Sequence, residues 1–121
     1  MRARRATPRR RTAPRWSAQQ WELATLKLYA RARGKCEWCG TALHGSAERH
    51  HRKRRRDGGD TYSNVLLLHP RCHSDVHAQV EAARTRGAIV PTWADPSETP
   101  VLAWGKLIAL LDDEGAVHPL T

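Results

Sequence analysis

The chain has 121 residues, and 21 Lys or Arg against 12 Asp or Glu give it a formal net charge of +9. Such a charge favours a polyanionic partner, most often nucleic acid, over a role in solubility alone. Phe is absent and 40% of the residues are hydrophobic, so the thin core is expected to need a clamp such as a bound metal ion. No apolar run is long enough for a membrane span or a signal peptide, which predicts a cytoplasmic protein that is not secreted and does not contact a membrane.

The first residues, 1–15, are rich in Arg and Pro and carry almost no apolar side chains. Such a segment cannot bury enough surface to offset the entropy of ordering it, so we expect a disordered basic arm. This arm either follows the phosphates of a nucleic acid or remains a solvated tail without contacts.

A helix is predicted over residues 18–33. Ser17 and Gln20 form a capping-box pattern at its start, and apolar residues recur at helical spacing along it. Gly34 is placed to end the helix in a left-handed turn. We interpret Trp21, on this helix, as a core aromatic rather than a ligand-binding one.

Two pairs of Cys and His residues indicate a structural zinc site. Cys36 and Cys39 form a C-x-x-C motif followed by glycine, which is typical of a zinc knuckle but also of redox thiols. His69 and Cys72 supply a second pair, so the four together favour Cys3His zinc over redox thiols or two unrelated buried pairs. Thiols used in this way point to a reducing compartment.

A strand, a basic loop and a second strand are predicted next. Residues 48–56 begin as a strand and continue as a cationic run into Asp57-Gly58-Gly59-Asp60, a strong loop signal. Residues 65–68 are an apolar run of strand length.

A helix is then predicted from His73 to Arg86, ended by Gly87. Val76 and Val80 lie four residues apart on one face. His73 and His77 are likewise four residues apart, so both imidazoles project from one face of its first turns.

The C-terminal residues are predicted to form a hairpin. Residues 91–100 read as a loop with Trp93 as an anchor, and residues 101–111 as two strands around a Gly105-Lys106 turn. No chemistry is evident here, so we expect a packing or partner-docking appendage.

Histidines on a strand and on a helix packed against it can hold one divalent ion. Phosphodiester hydrolysis needs a base for water, positive charge at the phosphate and cationic side chains that hold the backbone. Neutral imidazole suits the first task, a histidine-bound ion the second and the basic run the third.

In this order, C-x-x-C, H-H, N and H-x-x-C-H-x-x-x-H resemble the HNH endonucleases of the ββα-metal (His-Me finger) superfamily, over residues 35–78. Residues 89–115 resemble the tail of small HNH proteins of actinobacterial phages. The resemblance implies an α+β chain, with a small ββα-metal fold and zinc knuckle between an N-terminal helix and a C-terminal β-hairpin. The expected division is a basic arm at 1–15, the nuclease domain at 16–87 and a C-terminal extension at 88–121.

The same resemblance assigns roles within the site. His50 and His73 become ligands of a catalytic divalent ion, and His77 an additional ligand. His51 becomes the general base, while Asn64 fixes the loop and orients His51 through a side-chain hydrogen bond. Many members place Asp where His50 stands, and imidazole there shifts the preference from Mg²⁺ toward Mn²⁺, Ni²⁺ or Zn²⁺.

The function so implied is nicking or double-strand cutting of DNA, in a phage-encoded protein that works beside the terminase or portal. The alternative is a non-catalytic zinc-stabilised module that binds nucleic acid or assists the terminase. The residues expected to contact the DNA backbone are Arg49, Arg52, Lys53, Arg54, Arg55 and Arg56.

Overall fold

The computed structural model describes residues 13–120, and it contains two small antiparallel sheets with helices packed around them. Most of the predicted basic arm, residues 1–12, lies outside this range. The helices are α1 Ala18–Ala32, α2 Arg55–Gly58, α3 Pro70–Ala78 and α4 Val80–Thr85, and the strands are β1 Glu48–His51, β2 Val65–Leu68, β3 Val101–Ala103, β4 Leu107–Leu111 and β5 Val117–Pro119. The predicted α+β class is confirmed.

Helix α1 begins with the predicted capping box. The Ser17 hydroxyl accepts a hydrogen bond from the Gln20 N–H, and the Gln20 side chain accepts one from the Ser17 N–H. The left-handed turn that ends α1 already starts at Arg33, with φ 59°, one residue before the predicted glycine. Leu28 on the inner face is buried, and Trp21 is half-buried with its ring 4.7 Å from that of Trp16.

Strand β2 lies at the centre of the molecule, buried on both faces. It pairs with β1 in antiparallel register, so that His50 lies opposite Leu66. Val65 and Leu67 pack against α1, while Leu66 and Leu68 join a cluster that includes Val76 of α3. This ββα unit, formed by β1, β2 and α3, is the arrangement that the sequence predicted.

Two local predictions are wrong. The basic run does not remain a loop throughout, because residues 55–58 form the short helix α2. The single helix expected after Cys72 begins earlier, at Pro70, and is divided at Gln79, where φ is −117° and ψ is 64°. Because of this break, Val80 lies outside the core and is 38% exposed, while Ala83 in α4 is buried.

The C-terminal hairpin packs on the knuckle. Strands β3 and β4 pair as predicted, but the residues with positive φ in the connecting turn are Trp104 and Gly105, and β5 adds a third strand that was not predicted. The Trp104 N–H donates to the Glu37 carbonyl at 2.9 Å, and its indole N–H donates to the Ala32 carbonyl at 3.0 Å. Among residues 13–120, no helix combines the length and apolar character needed to cross a membrane.

Candidate active site and metal centres

The four side chains of the predicted knuckle converge on one point. The donor atoms of Cys36, Cys39, His69 and Cys72 all lie within 4.8 Å of one another. Nδ1 of His69 is 3.4 Å from Sγ of Cys39 and 3.9 Å from Sγ of Cys72, so this nitrogen faces the thiols. The expected zinc-like Cys3His site is therefore confirmed.

The hydrogen bonds and the burial of this cluster make it suitable for binding a cation. Nε2 of His69 donates to the Ala42 carbonyl at 2.9 Å, which leaves the lone pair on Nδ1. Burial and the neighbouring thiol of Cys36 raise the pKa of Cys72 to about 12, since crowded sulfurs resist carrying negative charge together. A cation removes that repulsion, and three thiolates with one imidazole are a donor set typical of structural zinc.

Glu37, between the two knuckle cysteines, ties the knuckle to β2. Its buried carboxylate accepts hydrogen bonds from Nε and Nη2 of Arg31, at 2.9 and 2.7 Å, and from the Leu67 N–H at 2.9 Å. Arg31 also donates to the carbonyls of Tyr62 and Val65. This buried ion pair sets the distance between the knuckle and the two zinc-type residues that follow β2.

The second cluster is centred on His50, which is 2% exposed. Its Nε2 donates to the Ala88 carbonyl at 2.7 Å, so Nδ1 carries the lone pair. Nδ1 is buried and has no hydrogen-bond partner among the described residues. Burial lowers the pKa of His50 to about 4, which keeps the ring neutral at pH 7. A buried neutral imidazole with an unpaired lone pair fits a metal ligand.

Helix α3 brings His73 and His77 beside His50, and one nitrogen of each ring lies within 4.8 Å of the others. Nδ1 of His73 donates to the Glu48 carboxylate at 2.9 Å, which leaves Nε2 as its donor to a metal. The Nε2 atoms of His73 and His77 are 3.2 Å apart. Two nitrogens bound tetrahedrally to one ion are roughly 3.4 Å apart, so the spacing suits a shared ion. Glu48 was not predicted, although it shares a strand face with His50.

His51 leaves β1 on the opposite face and is oriented by a carboxylate. Its Nε2 lies 2.8 Å from Oδ1 of Asp60, and this bond to an acceptor assigns the ring proton to Nε2 and the lone pair to Nδ1. Asp60 was read in the sequence only as part of a turn. The sequence did offer one signal for it, since Asp60 is a carboxylate at the end of the loop that follows the basic run.

Asn64 holds the loop, but it does not orient His51 through its side chain. Its Oδ1 accepts from the Lys53 N–H, and its Nδ2 donates to the carbonyls of Lys53 and Gly59, at 2.8 to 2.9 Å. A Cβ on Gly58 would lie 2.7 Å from Nδ2 of Asn64, which explains why glycine occupies that position. The expected bond to His51 is corrected: the ring is held by Asp60 instead.

The predicted DNA contact of Arg52 is also wrong, because its side chain is buried and cannot reach a phosphate. The residue is 2% exposed, and its guanidinium donates to the carbonyls of Gly87, Ser63, Pro96 and Thr99, at 2.8 to 3.0 Å. It joins the end of β1 to the start of β2 and to the segment before β3. Its role is therefore structural.

The other basic residues fall into two groups. Lys53 donates to the Ala94 carbonyl at 2.9 Å, and Arg55 pairs with Asp60 through Nε and Nη2. Arg49, Arg54 and Arg56 are exposed, and the guanidinium of Arg49 lies 4.2 Å from the centre of the Trp21 ring. For the exposed group, contact with phosphates stays a prediction.

The histidine cluster and His51 open into one cavity of about 350 Å³, which is wide enough for a phosphate group and water. Its lining also carries Arg49 and Arg54, so positive charge surrounds the imidazoles. The residues that line the cavity are Arg49, His50, His51, Arg52, Arg54, His73, His77 and Ile89.

Comparison with known proteins identifies this region. Residues 36–79 match the family model described as HNH endonuclease. No curated protein and no solved structure matches the chain. The matched segment contains the knuckle, the three-histidine cluster, His51 and Asn64. Residues 36–79 are therefore similar to HNH endonuclease domains, a type of domain that acts on DNA, and this similarity indicates nuclease activity with metal binding.

Proposed function

We propose that this protein is a metal-dependent endonuclease that hydrolyses the phosphodiester bonds of DNA. One observation carries the proposal: His51, oriented by Asp60, opens into the same cavity as His50, His73 and His77. A binding module needs neither an oriented base nor a buried imidazole whose lone pair is unpaired. Both features are what hydrolysis of a phosphodiester requires.

His51 acts as the general base. Nδ1 takes a proton from the attacking water as its oxygen bonds to phosphorus. The bond from phosphorus to the 3′ oxygen breaks, and that oxygen takes a proton from solvent water. The products are a 3′-hydroxyl and a 5′-phosphate. Asp60 keeps the other ring proton on Nε2 and stabilises the imidazolium that forms. It acts through His51 and is a positioning residue.

His50, His73 and His77 would hold a divalent ion, which when bound supplies positive charge to the phosphate and to the leaving oxygen. Three imidazole nitrogens favour Zn²⁺, Ni²⁺ or Mn²⁺ over Mg²⁺, which prefers oxygen donors. Glu48 keeps the Nε2 lone pair of His73 available, and the exposed Arg49 and Arg54 hold the DNA backbone at the rim of the cavity.

Plasmid cleavage tests the activity. The wild-type protein, His51→Ala and His44→Ala are incubated with supercoiled plasmid and Mg²⁺, Mn²⁺ or Ni²⁺, since His44 is an exposed histidine outside both clusters. We expect nicked or linear plasmid from the wild type and from His44→Ala, and cleavage slower by at least about 100-fold from His51→Ala. If all three shift the plasmid in a gel but leave it intact, the non-catalytic binding module is the correct alternative.

We extend the proposal to a cytoplasmic phage protein that acts beside the terminase or portal. Support comes from the resemblance of residues 89–115 to the tails of small phage HNH proteins and from the three free cysteines, which suit a reducing compartment. Size-exclusion chromatography with the terminase and portal proteins of the same genome tests the partnership. Co-elution is the expected result, and separate elution of each mixture would remove this part of the proposal.

A further inference from the structure

Trp93 is 87% exposed, the highest value among the exposed large hydrophobic side chains of residues 13–120. It lies in a turn closed by a hydrogen bond from the Ala94 N–H to the Pro91 carbonyl at 3.0 Å. The sequence-based interpretation of Trp93 as an anchor is therefore wrong, since the indole packs into no core. An indole this exposed is not explained by packing in the core, and it points instead to a contact with a binding partner.

The turn that carries Trp93 is fixed to the basic segment after β1. The Val90 N–H donates to the Arg52 carbonyl at 2.9 Å, and Nζ of Lys53 donates to the Ala94 carbonyl at 2.9 Å. Nη1 of the buried Arg52 donates to the Pro96 carbonyl at 3.0 Å. Bonds on both sides of Trp93 thus hold its backbone in place, so little conformational entropy is lost when the indole makes a contact.

The same segment starts at the active-site cavity. Ile89, one residue before the first of these bonds, lines the cavity together with His51 and the exposed Arg54. Trp93 is four residues further along the chain, so its Cα lies within about 14 Å of that of Ile89. The backbone of Trp93 is therefore held within a few nucleotides of the cavity, between Lys53, which is bonded to the Ala94 carbonyl, and the exposed acidic residue Asp95.

We propose that Trp93 stacks on a nucleobase of the DNA whose backbone lies in the cavity, at a step where that base is unstacked from its neighbour. The exposed Arg49 and Arg54 at the cavity favour a polyanion, and a nucleic acid is the polyanion that also offers flat π-faces to an indole. The preferred substrate is then a single-stranded, nicked or distorted region rather than a regular duplex, in which the bases are covered. This inference rests on the proposed function, because it takes DNA as the substrate.

Binding measurements in a non-cleaving background test the stacking. The full chain with His51→Ala is compared with the same protein carrying Trp93→Ala or Trp93→Phe, by fluorescence anisotropy on a single-stranded oligonucleotide, a regular duplex and a duplex with a short mismatched bubble. We expect Trp93→Ala to weaken binding to the single strand and the bubble by at least about fivefold, and Trp93→Phe to retain most of the affinity. On the regular duplex the three proteins should agree within about twofold.

The salt dependence separates stacking from charge. Stacking releases no counterions, so Trp93→Ala should leave the slope of log Kd against log salt unchanged, whereas Arg54→Ala should reduce it by about one. Equal affinities of Trp93→Ala and Trp93→Phe on all three DNAs would overturn the inference while the nuclease proposal stands. If the His51→Ala parent binds none of the DNAs, the inference and the DNA-directed function fail together.

Discussion

Asp60 receives hydrogen bonds from Nε2 of His51, from the guanidinium of Arg55 and from the Trp16 N–H. Burial alone would raise the pKa of this carboxyl, but the bonds from Arg55, Trp16 and His51 outweigh burial and lower it. Asp60 therefore remains ionised at neutral pH. An ionised partner fixes the tautomer of His51, which makes Nδ1 the nitrogen that can accept a proton.

Replacing Asp60 by Asn should slow cleavage because it disturbs His51, and it should have no separate effect. The amide can offer its N–H₂ group to the ring and favour the wrong tautomer, so we expect a loss of at least about 100-fold. Because both residues serve one step, the double variant His51→Ala/Asp60→Asn should be no slower than His51→Ala. Single-turnover cleavage of plasmid measures all three.

A matched control is Glu22→Gln, which removes one negative charge from an exposed position on α1. Its cleavage rate should equal that of the wild type. If the double variant instead shows the product of the two single losses, Asp60 does not act through His51. Thermal unfolding of Asp60→Asn checks that the variant is still folded at the temperature of the cleavage assay.

The side chains that can bind a metal could be predicted from the sequence, whereas the groups that hydrogen-bond to them could not. The spacing of Cys36, His50 and His73 located both clusters because the identity of a side chain limits which ions it can bind. The carbonyl that orients His50 belongs to Ala88, 38 residues away. Such a contact is set by how the chain returns to β1, and no local pattern encodes it. The carboxylate that orients His51, from Asp60, was missed for a related reason: a loop signal describes the backbone and not what its side chains meet.

At the scale of elements, Arg52 connects three segments of the chain. Burial, followed by the nearby charge of Arg31, lowers its pKa to about 10, so the guanidinium remains charged at pH 7. Its bonds reach the carbonyls of Ser63, Gly87, Pro96 and Thr99. A buried cation of this kind is tolerated because each of its three nitrogens has an oriented acceptor.

The substitution Arg52→Lys should destabilise the fold by roughly 2–4 kcal/mol, since an ammonium lacks the planar fork and leaves buried carbonyls unpaired. The conservative change Arg54→Lys, two residues along on the exposed face, should stay within about 0.5 kcal/mol. Urea denaturation of both variants gives the comparison. Equal stabilities would show that Arg52 has no structural role and would restore it to the phosphate-contacting set.

The turn between β4 and β5 depends on Asp112. Its carboxylate accepts from Nε2 of His118 at 2.7 Å and from the N–H groups of Ala116 and Glu114 at 2.8 and 2.9 Å. The bond from His118, followed by that from Ala116, lowers the pKa of Asp112 to about 2. A depressed folded pKa means that the stabilising effect is fully present above about pH 4 and is lost as the pH falls toward 2.

We therefore expect Asp112→Ala to cost about 1 kcal/mol at pH 7, and expect that cost not to fall at pH 5, where the carboxylate is still ionised. Denaturation at the two pH values measures it. The neighbouring exposed substitution Glu114→Gln is the control and should change little. A cost that falls between pH 7 and pH 5 would contradict the assignment of the ionised carboxylate.

Elements with strong local signals were predicted, and those fixed by packing were not. The capping box of Ser17 and the apolar run after Asn64 located α1 and β2 because each pattern is satisfied within its own segment. The break at Gln79 interrupts a good helical pattern. It allows Ala83 to enter the core and leaves Val80 outside, an exchange that only the surrounding elements impose.

At the scale of the whole molecule, the knuckle is part of the core. Cys36 and Cys72 are buried and belong to the main apolar cluster, where they pack with Leu66, Leu68 and Val76. The apolar residues that remain are few for a chain of 121 residues. A core of this size depends on a cross-link, so metal binding at the knuckle and folding should be one process.

Metal removal should therefore separate the two clusters. A strong zinc chelator is expected to abolish the cooperative thermal transition of the wild type, because unpaired thiols would be left in the core. The double variant His50→Ala/His73→Ala should retain that transition and about one zinc per chain, yet lose cleavage. Cys39→Ser, which weakens the knuckle alone, should lower the transition temperature. Elemental analysis with calorimetry distinguishes these outcomes, and a double variant without zinc would show that the knuckle is not an independent metal site.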